Sequence, residues 1–204
     1  MKKICILDYG LGNIRSLYNA IKVINSEVNY YSEIKNKNFD ILFIPGVGSF
    51  NKASKIFKDQ GYLKIIKKAN SESVKIIGIC LGMHILFSEG FEDGRNFGLN
   101  FIKGKVKRIK NTNLKLPNIG WKKILIEEKV GKGFFKKFDG NKFYFVHSYM
   151  GNLENSSNLI ASLTYDKVKI PAIVGDKNIL GIQFHPEKSG EIGIELLKEV
   201  IKNY

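Results

Sequence analysis

The chain has 204 residues, a formal net charge of +14 and two cysteines. This length suffices for one α/β domain with a sizeable core, and no linker-like segment divides it, so we expect a single domain over residues 1–204. We find no apolar run long enough to span a membrane, no signal-peptide core and no disulfide framework, and these absences predict a cytoplasmic protein.

The strong positive charge raises the question of nucleic-acid binding. Only three of the 33 basic residues are arginine, the side chain whose fork best matches bases and phosphates. The lysines are scattered among many asparagines and isoleucines, and no DNA- or RNA-binding motif accompanies them. We therefore expect a solvated basic surface that attracts anionic substrates or an acidic partner, and no binding to nucleic acid or membranes.

The first part of the chain alternates predicted strands with predicted helices, which is typical of a parallel sheet. Strands are predicted at residues 3–7, 28–31 and 39–44, and helices at 13–24 and 51–69. The turn after the first strand has two glycines of a dinucleotide-binding fingerprint, but Arg15 stands where the third should be, and we reject that interpretation. The strand at 39–44 ends in a glycine-bearing loop, which should lie near the ligand-binding edge of the sheet.

Cys80 lies at the junction of a predicted buried strand, residues 74–79, and a predicted helix that begins near Gly82. Gly78 and Gly82 flank it at two residues on either side, as in the nucleophile elbow of serine hydrolases. Such a turn pushes the side chain out of the core, and the N–H groups of the following helix favour the thiolate. Cys80 is therefore predicted to be a nucleophile, whereas Cys5, inside the first strand, is interpreted as a structural cysteine.

The second part of the chain reads as strands separated by turns, with little helix, and is predicted to be largely antiparallel. The predicted strands are residues 104–109, 121–126, 142–149, 159–163, 170–174 and 178–184. Pro186 stops the last of them, and apolar spacing over residues 193–201 predicts a closing amphipathic helix.

Three histidines compete for the role of the base that activates Cys80. His185 has Glu187 two residues on, at the end of a strand that would bring both to the sheet edge, where Glu187 could hold the imidazole in one tautomer. His84 lies one helical turn after Cys80 without an acid nearby in sequence, so it is expected to face the substrate or to pack. His147 is equally consistent with a hydrogen-bonded core histidine. No Cys/His spacing matches zinc, and we predict no metal.

Six motifs together carry a resemblance to a known family. Gly-Ile-Cys-Leu-Gly-Met at 78–83, Pro-Gly-Val-Gly-Ser-Phe at 45–50 and His-Pro-Glu-Lys-Ser at 185–189 resemble the class I (triad) glutamine amidotransferases. Asp-Tyr-Gly-Leu-Gly-Asn at 8–13, Pro-Asn-Ile-Gly-Trp at 117–121 and Tyr-Phe-Val-His-Ser-Tyr at 144–149 narrow the resemblance to the glutaminase subunit of imidazole glycerol phosphate synthase. It implies an α/β, flavodoxin-like fold, with a central parallel or mixed sheet flanked by helices and an added antiparallel portion.

The resemblance also implies a mechanism and a set of site residues. Cys80 would attack the side-chain amide of glutamine, His185 would carry the proton to the leaving ammonia, Glu187 would orient His185, and water would hydrolyse the thioester. The backbone N–H groups of Leu81 and Val47 would form the oxyanion hole. The implied substrate-binding residues are Gly48, Glu92, Tyr144 and Ser148, and His84 is added to them because of its position one turn after Cys80. The predicted interface residues are Asn13, Trp121 and Lys188.

No cofactor is implied, and the ammonia acceptor would be a separate (β/α)-barrel cyclase subunit acting in histidine biosynthesis. The family usually has glutamine in place of His84, histidine in place of Asn118 and asparagine in place of Lys122. These departures lend weight to a runner-up, a paralogous glutaminase that supplies a surface-polysaccharide sugar amidotransferase. Two other hypotheses are a stand-alone cysteine hydrolase, which would need no partner, and a basic binding module without chemistry.

Overall fold

The computed structural model describes residues 1–12, 14–24, 27–34, 38–128 and 133–204. In these ranges the strands are β1 (Ile4–Ile6), β2 (Val28–Tyr30), β3 (Ile41–Ile44), β4 (Lys75–Ile79), β5 (Phe87–Gly90), β6 (Asn96–Phe97), β7 (Ile102–Arg108), β8 (Asn118–Lys123), β9 (Leu125–Ile126), β10 (Lys142–His147), β11 (Tyr149–Leu153), β12 (Leu159–Tyr165), β13 (Val168–Asp176) and β14 (Ile179–Ile182). The α-helices are α1 (Ile14–Ile24), α2 (Phe50–Asp59), α3 (Tyr62–Ser71), α4 (Leu81–Leu86) and α5 (Gly190–Asn203).

An eight-stranded mixed sheet, in the order β2-β1-β3-β4-β14-β13-β12-β9, forms the centre of the molecule. Its five strands from β2 to β14 are parallel, and the remaining pairs are antiparallel. Helices cover both faces, because the apolar stripes of α1 and α5 contribute to one buried cluster and those of α2, α3 and α4 to the other. A four-stranded sheet, β11-β7-β5-β6, and the antiparallel pair β10-β8 complete the fold.

The predicted helix at residues 51–69 is two helices. Gly61 adopts a left-handed backbone, with φ of +77°, between the end of α2 and the start of α3. Glycine populates this conformation without the steric cost that a Cβ would bring, so the first helix ends and the second begins there. Apolar spacing continues on both sides of the break, and for this reason the sequence pattern did not show it.

The expectation of a largely antiparallel second half is confirmed, with two exceptions. β14 inserts parallel to β4, and β5 pairs parallel with β7. The strand predicted at 142–149 is divided between β10 and β11, which belong to different sheets. The register places Ile44 beside Gly78 and Gly78 beside Gly181, so the carboxyl ends of β3, β4 and β14 lie side by side at one sheet edge.

Candidate active site

Three adjacent parallel strands deliver the predicted catalytic segments to this one edge. The loop at 45–48 follows β3, Cys80 follows β4, and His185 comes three residues after β14 ends. The Cys80 N–H donates to the Ile182 carbonyl over 2.7 Å, which fixes the cysteine against the strand that leads to the histidine. Residues more than one hundred positions apart are thereby held together by strand pairing alone.

Cys80 occupies a strained turn between β4 and α4, with φ of 55° and ψ of −107°. A Cβ on Gly78 would overlap the Gly82 carbonyl, and a Cβ on Gly82 would overlap the Ile44 carbonyl. Both flanking glycines are therefore required by close backbone approach, as the elbow motif predicted. The Cys80 Sγ lies 4.0 Å from the Val146 carbonyl oxygen, so β10 borders the thiol.

The His185 imidazole is buried and bound on one side by an acid. Its Nδ1–H donates to Glu187 Oε1 over 2.7 Å, and among the described residues its Nε2 has no hydrogen-bond partner. Burial would lower the pKa of His185, but the contacts with Cys80 and Glu187 outweigh burial and raise this pKa above its ordinary 6.5. The structure therefore brings Cys80, His185 and Glu187 together, in the arrangement expected of a nucleophile, a base and an acid that orients the base.

Ser189 holds the histidine segment in place, a role that the sequence did not suggest. Its Oγ–H donates to the His185 carbonyl over 2.7 Å, and the same oxygen accepts the Tyr144 N–H over 3.0 Å. The His185 N–H in turn donates to the Tyr144 carbonyl over 2.9 Å. The strand that carries Tyr144 is thus bonded directly to the segment that carries the base.

The two predicted oxyanion-hole donors, the Leu81 and Val47 N–H groups, differ in hydrogen bonding and in orientation. The Leu81 N–H donates to the Gly46 carbonyl over 3.3 Å, so this donor is already occupied. The oxygen and the N–H of one trans peptide point in opposite directions. Because the Gly46 oxygen points toward Leu81, the Val47 N–H of the same peptide points away from it. The predicted oxyanion hole is therefore not assembled in this conformation.

The residues expected to bind glutamine lie around this edge at different depths. Gly48 is exposed with φ of +115°. Tyr144, on the strand bordering Cys80, and Ser148, directly after that strand, are half-buried. Glu92 Oε2 accepts the Phe50 N–H over 2.8 Å, which joins it to the end of the glycine loop. Burial raises the pKa of Glu92, and the Phe50 hydrogen bond partly offsets this effect.

His84 and His147 belong to a buried polar cluster and not to the triad. The His84 Nε2–H donates to Gln183 Oε1 over 2.7 Å. The His147 Nδ1–H donates to the Tyr149 carbonyl over 2.8 Å, and its Nε2 accepts from Asn118 Nδ2 over 2.9 Å. Burial lowers the pKa of both histidines to about 4, so both imidazoles are neutral at physiological pH.

Of the three predicted interface residues, the structure describes Trp121 and Lys188, and both are exposed near the site. The side chain of Trp121 is 51% exposed and lies edge-on against Tyr144, with ring centroids 6.3 Å apart. Lys188 is exposed and lines a small cavity with Val47, His185 and Glu187. Asn13 lies outside the described residues.

Neither a metal cluster nor a membrane span is found in the described parts of the chain. No group of three or more potential His, Cys, Asp or Glu ligands occurs there. None of the described helices is both long and apolar enough to cross a bilayer.

Comparisons with known proteins show to which family the sequence is similar. The family model for glutamine amidotransferase class-I matches residues 5–203. The imidazole glycerol phosphate synthase subunit HisH of Lactococcus lactis is 40% identical over 99% of this chain and 99% of its own length. The protein of the same name from Caldanaerobacter subterraneus is 39% identical over 97% of this chain and 98% of its own length.

Solved structures agree at the level of the fold. The structure of PurLQS from Thermotoga maritima has a TM-score of 0.75 and 19% identity, covering 99% of both chains. A structure described as a glutamine amidotransferase has a TM-score of 0.70 and 16% identity, covering 99% of this chain and all of its own. The predicted fold class is confirmed.

Proposed function

We propose that this chain, which belongs to the class-I glutamine amidotransferase family, is the glutaminase subunit of an imidazole glycerol phosphate synthase and supplies ammonia for histidine biosynthesis. One observation carries the chemistry: the Cys80 elbow adjoins a buried His185 whose Nδ1 is bound to Glu187. Full-length identity of 40% to a protein named for that synthase supports the pathway. We also propose that residues 1–204 form one cytoplasmic domain.

The proposed reaction proceeds through a thioester. The Cys80 sulfur attacks the side-chain carbonyl carbon of glutamine, and the resulting oxyanion is stabilised by backbone N–H donors. His185 transfers the proton from Cys80 to the amide nitrogen as the C–N bond breaks, which releases ammonia. His185 then activates a water molecule that cleaves the thioester, giving glutamate and the free thiol. Glu187 keeps the His185 Nε2 directed toward the sulfur.

We further propose that the Gly46–Val47 peptide rotates before the reaction. Rotation would withdraw the Gly46 oxygen from the Leu81 N–H and turn the Val47 N–H toward the substrate. Val47 is 40% exposed, and the next residue, Gly48, has φ of +115°, so the loop has room to move. We expect binding of the partner to favour the rotated loop, which would limit glutamine hydrolysis in the isolated chain.

Substrate contacts are assigned to four of the predicted residues. Gly48, Glu92, Tyr144 and Ser148 are assigned to glutamine because the motifs imply them and because all four remain at least partly exposed. The buried His84, which binds Gln183, is assigned an indirect role through that side chain. Glutamine in place of His84, as is usual in the family, would have a different hydrogen-bonding capacity at this buried position.

The proposed partner is a separate (β/α)-barrel cyclase. Ile119 and Trp121 are 53% and 51% exposed, and alternation along β8 places both on the same face. A partly exposed tryptophan among apolar neighbours is typical of an interface anchor. We assign this face and Lys188 to the cyclase contact, and we keep Asn13 as a predicted contact on the basis of the motif.

The departures from the family pattern do not favour the sugar-pathway alternative. Asn118 is fully buried and bound to His147, and His84 is buried on Gln183. Lys122 lies over the ring of Tyr165, with its Nζ 5.5 Å from the centroid. Two of the three changes therefore alter an internal polar cluster and not the surface that a different partner would contact.

The test combines an assay with complementation. The chain is purified alone and with the cyclase subunit from the same source, and glutamate formation is measured. We expect weak activity alone, at least about tenfold stimulation by the cyclase, and growth without histidine of an auxotroph that lacks its own glutaminase subunit. Full activity alone would favour a stand-alone hydrolase. Failure to complement despite stimulated glutamine hydrolysis would contradict the assignment to histidine biosynthesis.

A further inference from the structure

The hydroxyl of Tyr9 is buried and has no hydrogen-bond partner among the described residues. The residue is 3% exposed and follows β1 in the turn that the dinucleotide-binding fingerprint did not explain. An unpaired polar atom in the interior costs about 1–3 kcal/mol. Phenylalanine would fill the same space without this cost, so packing alone does not account for the hydroxyl.

The surroundings of Tyr9 hold its hydroxyl against the oxyanion loop. Its ring lies edge-on to Phe57 at 4.7 Å and to Tyr62 at 6.4 Å between centroids. A Cβ added to Gly46 would overlap the hydroxyl oxygen, so this oxygen lies directly beside the Gly46 Cα. Burial, followed by the proximity of Cys80, raises the pKa of Tyr9, so the hydroxyl stays protonated and can donate.

The same turn touches the loop at a second point. A Cβ on Gly12 would approach the Gly46 Cα to 3.1 Å and the Val47 nitrogen to 3.4 Å. Residues 9 and 12 therefore both border the peptide that is proposed to rotate. This close approach gives Gly12 a structural role that does not depend on the dinucleotide-binding fingerprint.

Rotation of the Gly46–Val47 peptide would leave the Gly46 carbonyl in need of a new hydrogen-bond donor. Gly46 is buried, and its carbonyl loses the Leu81 N–H when the peptide turns. A buried carbonyl is rarely left without a donor. The Tyr9 hydroxyl is a buried donor without an acceptor, and it lies beside the same residue.

We infer that Tyr9 is a positioning residue for the oxyanion hole: in the rotated loop its hydroxyl donates to the Gly46 carbonyl and so stabilises the conformation in which the Leu81 and Val47 N–H groups face the substrate. The inference rests on the proposed function, because these donors are needed only if an acyl-transfer oxyanion forms at Cys80. It assigns a role to the turn at residues 8–12 in addition to its packing.

The test compares Tyr9→Phe with Tyr62→Phe, each in complex with the cyclase subunit. Tyr62 belongs to the same aromatic cluster, but its hydroxyl donates to the Asp8 carbonyl over 3.3 Å, so it serves as the matched control. The measurements are kcat and KM for glutamine, the melting temperature, and synthase activity with ammonium salts in place of glutamine.

For Tyr9→Phe we expect kcat to fall about five- to tenfold, the size of one neutral hydrogen bond, with KM nearly unchanged. Its melting temperature should be unchanged or higher, since an unpaired buried hydroxyl is removed, and ammonia-dependent activity should be unchanged. Tyr62→Phe should keep kcat and lose a little thermal stability.

Three results would overturn the inference. One is a wild-type kcat in Tyr9→Phe. Another is a fall in kcat that is matched by a loss of melting temperature and reproduced by Tyr62→Phe, because this pattern describes packing. The third is an inactive wild-type complex, which refutes the proposed function itself and is distinguished by the wild-type assay.

Discussion

The nucleophile segment and the oxyanion loop lie side by side in the site but differ in how completely they are assembled. Cys80, His185 and Glu187 are fixed by strand pairing, by a 2.7 Å hydrogen bond and by burial. The loop at 45–48 is partly exposed, and its Gly46 oxygen occupies the Leu81 N–H. The comparison teaches that, in the proposed mechanism, the groups for attack and proton transfer are already in place, whereas stabilisation of the oxyanion depends on the proposed rotation of the loop. Control of the reaction should therefore act on the loop.

The largest effect on glutamine hydrolysis should come from replacing Cys80, which belongs to the preorganised triad. Cys80→Ala is expected to lower glutamine hydrolysis by about 10⁶-fold, as loss of a nucleophile does in a comparable triad. Ammonium-dependent activity of the assembled synthase should persist. Cys5→Ala is the control, because the buried Cys5 thiol, whose pKa is raised to about 12 by burial and by Asp8, is unreactive. Substantial glutamine turnover by Cys80→Ala would refute the assignment of Cys80 as the nucleophile.

Glu187→Gln tests how the base is oriented. The neutral amide lacks the negative charge with which the Glu187 carboxylate faces the His185 Nδ1–H, so kcat should fall by up to about 10⁴-fold. The His185 pKa should fall toward 6.5, measured by NMR titration of the imidazole. An unchanged His185 pKa would show that Glu187 does not contribute to it.

The same variant should change how stability depends on pH. Since folding raises the pKa of His185, imidazolium stabilises the fold fully below about pH 6.5, and this stabilisation is lost as pH rises through the folded-state pKa. The wild type should therefore exceed Glu187→Gln in free energy of unfolding most clearly near pH 6, and the difference should shrink toward alkaline pH.

Val47→Pro tests the oxyanion donor that we propose in the loop at 45–48. Proline has no N–H, so the variant should lose about 10²- to 10³-fold in kcat if Val47 supplies an oxyanion donor. Val47→Ala keeps the N–H and alters only a side chain that is 40% exposed, so its kcat should remain near that of the wild type. Equal activity of the two variants would exclude the Val47 N–H from the oxyanion hole.

The smallest expected effect is on the affinity for the proposed cyclase partner. Trp121→Ala should weaken cyclase binding by about 2 kcal/mol, roughly thirtyfold in Kd. Leu125→Ala is the control, because Leu125 is 53% exposed on β9, at the far edge of the main sheet. Isothermal titration calorimetry of both variants measures the difference. Equal weakening by both would place the interface elsewhere.

The sequence predicted the arrangement of the Cys80 and His185 segments better than the conformation of the loop at 45–48. The elbow and the His-Pro-Glu segment are local patterns, and parallel strands bring their ends together automatically. The break at Gly61 and the short α4, which gives way to β5 at Phe87, depend on tertiary packing that helical spacing does not encode. The Leu81–Gly46 hydrogen bond joins the start of α4 to the loop after β3, two segments distant in the chain, and no local sequence pattern encodes it.

The placement of β14 between β4 and β13 has a consequence for synthesis on the ribosome. β4 ends at residue 79, and its neighbour β14 begins at residue 179, so one edge of an apolar strand stays unpaired while the next hundred residues are made. Unpaired apolar edges promote aggregation of nascent chains. His185 arrives with this last strand, so a nascent or truncated chain should carry the thiol without its base and consume no glutamine.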